Sequence, residues 1–135
     1  TFEIVELGGG GDELAVAVAL THDIAADVQT YLQRELPHVS RLLVCRPAGG
    51  ASPRSVACGR HAFDLAHSLA ITVKRERPQS ANQAIHLFVA GPNAFTFFAG
   101  QHHRTMGRTT LYEYDFEGQR SGTYLPSLTL PLPLA

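Results

Sequence analysis

Runs of apolar residues alternate with polar turns along this chain. Leu14–Leu20 (LAVAVAL) breaks into Thr21-His22-Asp23, and Leu42–Cys45 (LLVC) into Arg46-Pro47-Ala48-Gly49-Gly50. Ile85–Ala90 (IHLFVA) breaks into Gly91-Pro92-Asn93, and Thr110–Tyr114 (TLYEY) into Asp115-Phe116. The stretches between consecutive apolar runs have helical spacing. Strand and helix in alternation predict an α/β fold built on a parallel sheet with right-handed crossovers. In such sheets the ligand crevice lies outside the carboxyl ends of the strands, the edge at which all these polar turns fall.

The helices are read from apolar periodicity. Ile24, Val28, Tyr31, Leu32 and Leu36 form one stripe, which predicts a helix over Ile24–Leu36, capped by Thr21 or Asp23 and ended by Pro37. A second helix is predicted over Ser55–Arg75, with Ala62, Leu65, Leu69 and Val73 inward. Its Lys74-Arg75-Glu76-Arg77 run suits a solvated helix end that complements the dipole. A third helix, Ala94 to about Arg104, carries Phe95, Phe97 and Phe98, read as core residues. Phe2–Leu7 (FEIVEL) alternates like a half-exposed strand, and Gly8–Gly11 after it reads as a hinge or hairpin turn. That glycine run is no phosphate loop, because no Gly-Lys-Ser/Thr follows it and the third glycine of a GxGxxG pattern is missing. After Gly118–Gly122, Thr123–Leu130 (TYLPSLTL) reads as a strand in an antiparallel C-terminal β-hairpin with Thr110–Tyr114. Pro126 and Pro131 push it toward a sheet edge.

Composition narrows the class. A chain of 135 residues, 44% hydrophobic and 17% charged, is expected to form one domain with a buried core. The net charge of −1 argues against a duplex-nucleic-acid face but permits a small anionic ligand held by a few local donors. Ten of the eleven basic residues are arginines, which suits bidentate phosphate contacts, although a GC-rich coding sequence enriches arginine as well. Two cysteines, Cys45 and Cys58, make no disulfide framework, so a reduced cytoplasmic setting is the simpler expectation. No apolar run approaches the about 20 residues of a membrane span, and no signal peptide is visible. The chain opens on Thr1, which suggests a domain excised from a longer protein.

Several chemistries lack their spacing. The seven histidines include no HxxxH or HExxH pair, and adjacent His102 and His103 diverge on a helix, so no metal site is expected. There is no GxSxG elbow, and Cys45 has no identifiable catalytic partner. Asp115 and Glu117 read as a solvated rim. The predicted crevice edge, by contrast, carries donors. Thr21 and His22 open the first helix, whose N-terminal amides favour an anion. Arg46 and Arg54 bracket the Pro/Gly-rich loop after the second core strand. Pro92 and Asn93 precede the third helix. Capping and ligand binding both account for Thr21 and Asn93, while His22, Arg46 and Arg54 are assigned to a ligand.

The ordered set Ile85–Ala94 (IHLFVAGPNA), Gly100, Leu111–Asp115 (LYEYD) and Tyr124–Leu128 (YLPSL), with Leu14–Tyr31 before it, resembles the SAVED domain. The likeness runs from about Leu14 to Leu130 and is strongest with the C-terminal unit of that domain. SAVED domains are built from two units like the CRISPR-associated Rossmann-fold (CARF) sensors, and they serve bacterial anti-phage signalling. The resemblance implies a Rossmann-like, mainly parallel sheet flanked by helices. It also implies a cyclic di- or trinucleotide ligand made by a partner nucleotidyltransferase, and an attached effector switched on by assembly. On that expectation phosphates meet Arg46, Arg54 and the helix start at Thr21, bases are read around Pro92-Asn93, and no catalytic residue or cofactor is needed. Only one unit is present, so the other wall of the site is expected from a missing N-terminal unit or a second copy. A ring nuclease using His22, or an interaction module without ligand, are the alternatives.

Overall fold

The structure is a computed structural model describing residues 1–8, 11–77, 83–115 and 123–132. Its centre is β2 (Glu13–Ala19), a run buried almost throughout, as suits a strand covered on both faces. A six-stranded sheet surrounds it in the order β1-β3-β2-β4-β5-β6, with β1 (Phe2–Glu6), β3 (Val39–Cys45), β4 (Ile85–Ala90), β5 (Thr109–Asp115) and β6 (Thr123–Leu130). β3, β2, β4 and β5 run parallel, and the two edge strands run antiparallel to their neighbours. The sheet is therefore mixed, mainly parallel and α/β, as expected.

The edges show what local pattern leaves open. β1 does not fold back on β2 in a hairpin. It crosses to the far side of β3, pairing Phe2 with Cys45 and Glu6 with Arg41, so the Gly8–Gly11 segment is a connection and the hairpin-turn alternative falls. Gly11 packs so tightly there that a Cβ would lie 2.0 Å from the His38 carbonyl oxygen, a place only glycine can take. Gly9 and Gly10 lie outside the described residues. At the other edge β6 forms the expected hairpin with β5, and Pro126 sits opposite Tyr112 beside a bulge at Leu111/Tyr112, where an edge strand tolerates proline.

Helix α1 (Ala25–Glu35) covers one face, burying Val28, Tyr31 and Leu32 against Ala15, Ala17, Leu42, Val44 and Phe88. Helices α2 (Gly59–Glu76), α3 (Asn93–Gln101) and α4 (His103–Met106) cover the other. There Ala62, Leu69, Val73, Phe95 and Met106 meet Val16, Val18, Leu43 and Ile85. Each fully buried leucine, valine or phenylalanine contributes about 1.5–3 kcal/mol. The expected second helix is shorter at its start: Ser55 belongs to the preceding loop, where its hydroxyl and the Ser52 N–H both donate to the Leu20 carbonyl. The expected third helix breaks at His102 into α3 and α4. Of its phenylalanines, Phe95 is fully buried and Phe98 half-buried, but Phe97 is 64% exposed. α1 links β2 to β3 in one direction, whereas α2 and then α3–α4 step the other way on the opposite face, the arrangement a single crossover handedness requires. The direction of connection reverses between β2 and β4.

Candidate functional site

A cavity of about 820 Å³ opens at that reversal, at the carboxyl ends of β2, β4 and β5. A parallel α/β sheet leaves a crevice there because successive loops diverge to opposite faces. Thr21, His22, Ile24 and Asp27 line it from the start of α1, Val89, Ala90, Gly91 and Thr96 from β4 and α3, and Leu111–Tyr114 with Tyr124 from the hairpin. Its volume falls within the about 300–1,000 Å³ typical of small-ligand sites.

The inner wall is aromatic. Tyr112 stacks on Phe88 with ring centres 4.5 Å apart, Tyr124 meets Phe88 edge-on at 5.0 Å, and Tyr114 meets Tyr124 at 5.2 Å. Tyr31 of α1 packs edge-on against Phe88, Tyr112 and Tyr124 from behind. Burial pushes the Tyr112 and Tyr124 hydroxyls up to about 12, so both are neutral phenols in the physiological range. Two carboxylates, Asp27 and Glu113, stand in the lining, while among the described residues His22 is its one group able to carry a positive charge. Carboxylates accept from amino and imino donors, and tyrosine faces stack on flat rings. Such a wall suits a nucleobase better than a phosphate.

The helix ends divide similarly. At α1 the Asp23 carboxylate accepts from the Ala25 N–H at 3.2 Å, and Asp27 lies in the first turn. The protein's own acids thus already serve the positive end of that helix. α3 differs: Pro92 caps it without a side-chain hydrogen bond, and its first turn holds no acid. Gly91 and Thr96, which bracket that turn, both line the cavity. The first-turn amides of a helix lack intrahelical partners, so this end is the better anion acceptor.

The structure brings together some of the expected site residues. Thr21 and His22 line the cavity, with His22 Nδ1 3.1 Å from Thr21 Oγ1. Pro92 and Asn93 sit at the start of α3 between lining residues; Asn93 is exposed, and no side chain caps that helix. Arg54 is exposed on the loop that Ser52 and Ser55 pin to the end of β2, at the same sheet edge but outside the lining. Arg46 is committed elsewhere. Its Nε donates to Asp23 Oδ2 at 3.3 Å and its Nη1 to Glu3 Oε2 at 3.1 Å, tying β1 and the α1 approach to β3. Asp115's side chain and Glu117 lie outside the described residues. Cys45 is buried, and burial pushes its thiol up to about 11, which leaves it inert at neutral pH. Sequence reasoning missed Asp27, Glu113 and the three tyrosines. Tyr112 and Tyr114 stand two apart on β5, a same-face signal, but their partner Tyr124 depends on the hairpin register.

The comparisons decide the family. Residues 1–130 match the profile described as the SMODS-associated and fused to various effectors sensor domain, SAVED. The chain belongs to the SAVED family. It is 35% identical over 123 residues to CD-NTase-associated protein 4 of Enterobacter hormaechei subsp. hoffmannii (strain UCI 50), covering 90% of this chain and 24% of that protein. The fold is that of the Acinetobacter baumannii Cap4 SAVED/CARF-domain containing receptor. Its structure with the cyclic trinucleotide 3'3'3'-cAAA matches with a TM-score of 0.69 at 19% identity, over 97% of this chain and 28% of the receptor. The structure with 2'3'3'-cAAA matches with a TM-score of 0.66 at 22% identity, over 97% and 27%. This SAVED chain thus spans about a quarter of the length of those proteins. Among its described residues no helix is long and apolar enough to cross a membrane.

Proposed function

We propose that this SAVED domain is a sensor that binds a cyclic di- or trinucleotide in the cavity at the carboxyl ends of β2, β4 and β5, within bacterial antiviral signalling. The observation that carries the reading is the lining itself: three tyrosines, Tyr112, Tyr114 and Tyr124, and two carboxylates beside the acid-free start of α3. A base stacks on the tyrosines and donates its amino hydrogens to Asp27 or Glu113. A phosphate meets the α3 amides, with His22 and Arg54 at the rim. The Cap4 receptors solved with cyclic trinucleotides support the ligand class. A ring presents several bases and phosphates, whereas one unit offers a single wall. A second unit or a second copy completes the site, so the nucleotide favours the assembled state that an attached effector reads, because only differential affinity shifts such an equilibrium.

Calorimetry and thermal shift with 3'3'3'-cAAA, cyclic dinucleotides and linear AAA test this. Cyclic ligand at 100 times its dissociation constant stabilises the fold by about 2.7 kcal/mol, linear AAA does not, and sedimentation shows larger species with the cyclic ligand. No shift with any ring, for this chain and for the full-length protein, would refute the sensor reading. Linear products that disappear in His22→Ala would instead make the protein a ring nuclease.

A further inference from the structure

At the opposite end of the sheet a second cluster joins the amino ends of three parallel strands. Glu13 opens β2, His38 precedes β3 and His86 is the second residue of β4. His86 Nε2 lies 2.6 Å from Glu13 Oε1, and His38 Nε2 lies 3.0 Å from Glu13 Oε2. The three ligand atoms all fall within 4.8 Å of one another. We propose that Glu13, His38 and His86 form a divalent-metal site of the zinc class, at the opposite end of the sheet from the nucleotide cavity.

Three features support it. Two imidazoles and a carboxylate are a ligand set that zinc takes with a fourth position left to water. The set is backed by an outer partner: His86 Nδ1 lies 2.7 Å from the Tyr112 hydroxyl, which orients the ring with Nε2 toward Glu13. The backbone is also held, since Gly11 packs against the His38 carbonyl and the Val39 N–H donates to the Leu36 carbonyl at 3.0 Å. Bonds of about 2.0–2.2 Å in a tetrahedron set ligand atoms about 3.3–3.6 Å apart, so small ring shifts convert the cluster into a coordination shell. His86 is nearly buried, but His38 is 48% exposed and leaves a path for the ion.

Binding redirects one hydrogen bond. In the tautomer with the proton on Nε2, His86 donates to Glu13 and accepts at Nδ1 from the Tyr112 O–H. Once Nε2 gives its lone pair to the metal, Nδ1 carries the proton and donates to the Tyr112 oxygen. The phenol hydrogen then turns elsewhere, and Tyr112 also lines the nucleotide cavity.

The test is zinc titration of chelator-treated protein by calorimetry, with cobalt(II) absorption for geometry and nitrogen NMR for the His86 tautomer. The wild-type chain takes up one zinc, and zinc-bound His86 carries its proton on Nδ1. Tyr112→Phe weakens binding about 10–100-fold, and His38→Ala and Glu13→Gln weaken it further. His67→Ala is the control, because His67 and His102 face each other with rings 5.5 Å apart and offer a rival pair. Folded wild type without uptake overturns the proposal and leaves a hydrogen-bonded clasp. Uptake that survives His38→Ala but fails in His67→Ala also overturns it.

Discussion

Phe88→Leu probes whether the aromatic cluster is a binding wall or only core. Phe88 is fully buried and touches three rings, stacked on Tyr112 at 4.5 Å and edge-on to Tyr31 at 5.8 Å and Tyr124 at 5.0 Å. An aromatic pair is worth about 0.5–1.5 kcal/mol beyond its buried area. Three pairs do not add fully, because they share neighbours and leucine regains part of the contact, so the expected loss is about 2–3 kcal/mol. For a chain of this length that lowers Tm by about 6–15 °C. Tyr112 and Tyr124 lose their shared backing, and nucleotide affinity falls by about 1 kcal/mol, roughly fivefold, at a temperature where the variant is folded. Leu69→Ala is the reference: it lies in the core of the opposite face, removes a fully buried side chain and costs a similar 2–5 kcal/mol by the usual cavity scale, roughly. Chemical denaturation gives the stabilities and calorimetry the affinities. Equal affinity losses in the two variants, or intact binding in Phe88→Leu, would refute the reasoning.

Arg46→Ala removes two partly exposed ion pairs, each worth about 0.2–1 kcal/mol, and lowers Tm by a few degrees, whereas Arg54→Ala leaves Tm unchanged and weakens nucleotide binding about tenfold; the reverse pattern in melting and titration would reassign the two arginines. Alkaline pH destabilises the fold in a defined window. Burial raises Cys45 from 9.0 to about 11, and Tyr112 and Tyr124 from 10.0 to about 12, so the folded state favours their protonated forms. Their contribution is complete below the unfolded values and is lost as pH rises from about 9 to 12. Urea midpoints that stay constant through pH 11 would contradict this.

Strand and helix positions were legible because they rest on local geometry. The continuous apolar run of β2, the apolar stripe of α1 and its caps, and the proline of β6 each announce their element through the periods of 3.6 and 2 or through a missing N–H. The crevice edge was legible too, since chain direction in a parallel sheet puts every strand-to-helix turn at one end. The break at His102 and the late start of α2 were less so. The start of α2 depends on a loop hydrogen bond, Ser55 to the Leu20 carbonyl, that joins residues far apart in sequence, while at the break the His102 N–H turns back to the Ala99 carbonyl with no apolar period to mark it.

The sequence by itself determined the α/β class, the strands, the carboxyl-end location of the cavity and, through its ordered motifs, the SAVED family. Only the tertiary structure decided which side chains share a wall. Sheet order placed β1 beside β3, which delivered Glu3 to Arg46, a side chain expected at a phosphate. Hairpin register brought Tyr124 to Tyr112 and Tyr114, and strand order gathered Glu13, His38 and His86 at three strand starts. The physical reason is one of range. A residue's period and propensity act over a turn or a pleat, whereas a site is assembled by pairings between segments whose separation along the chain carries no local signal.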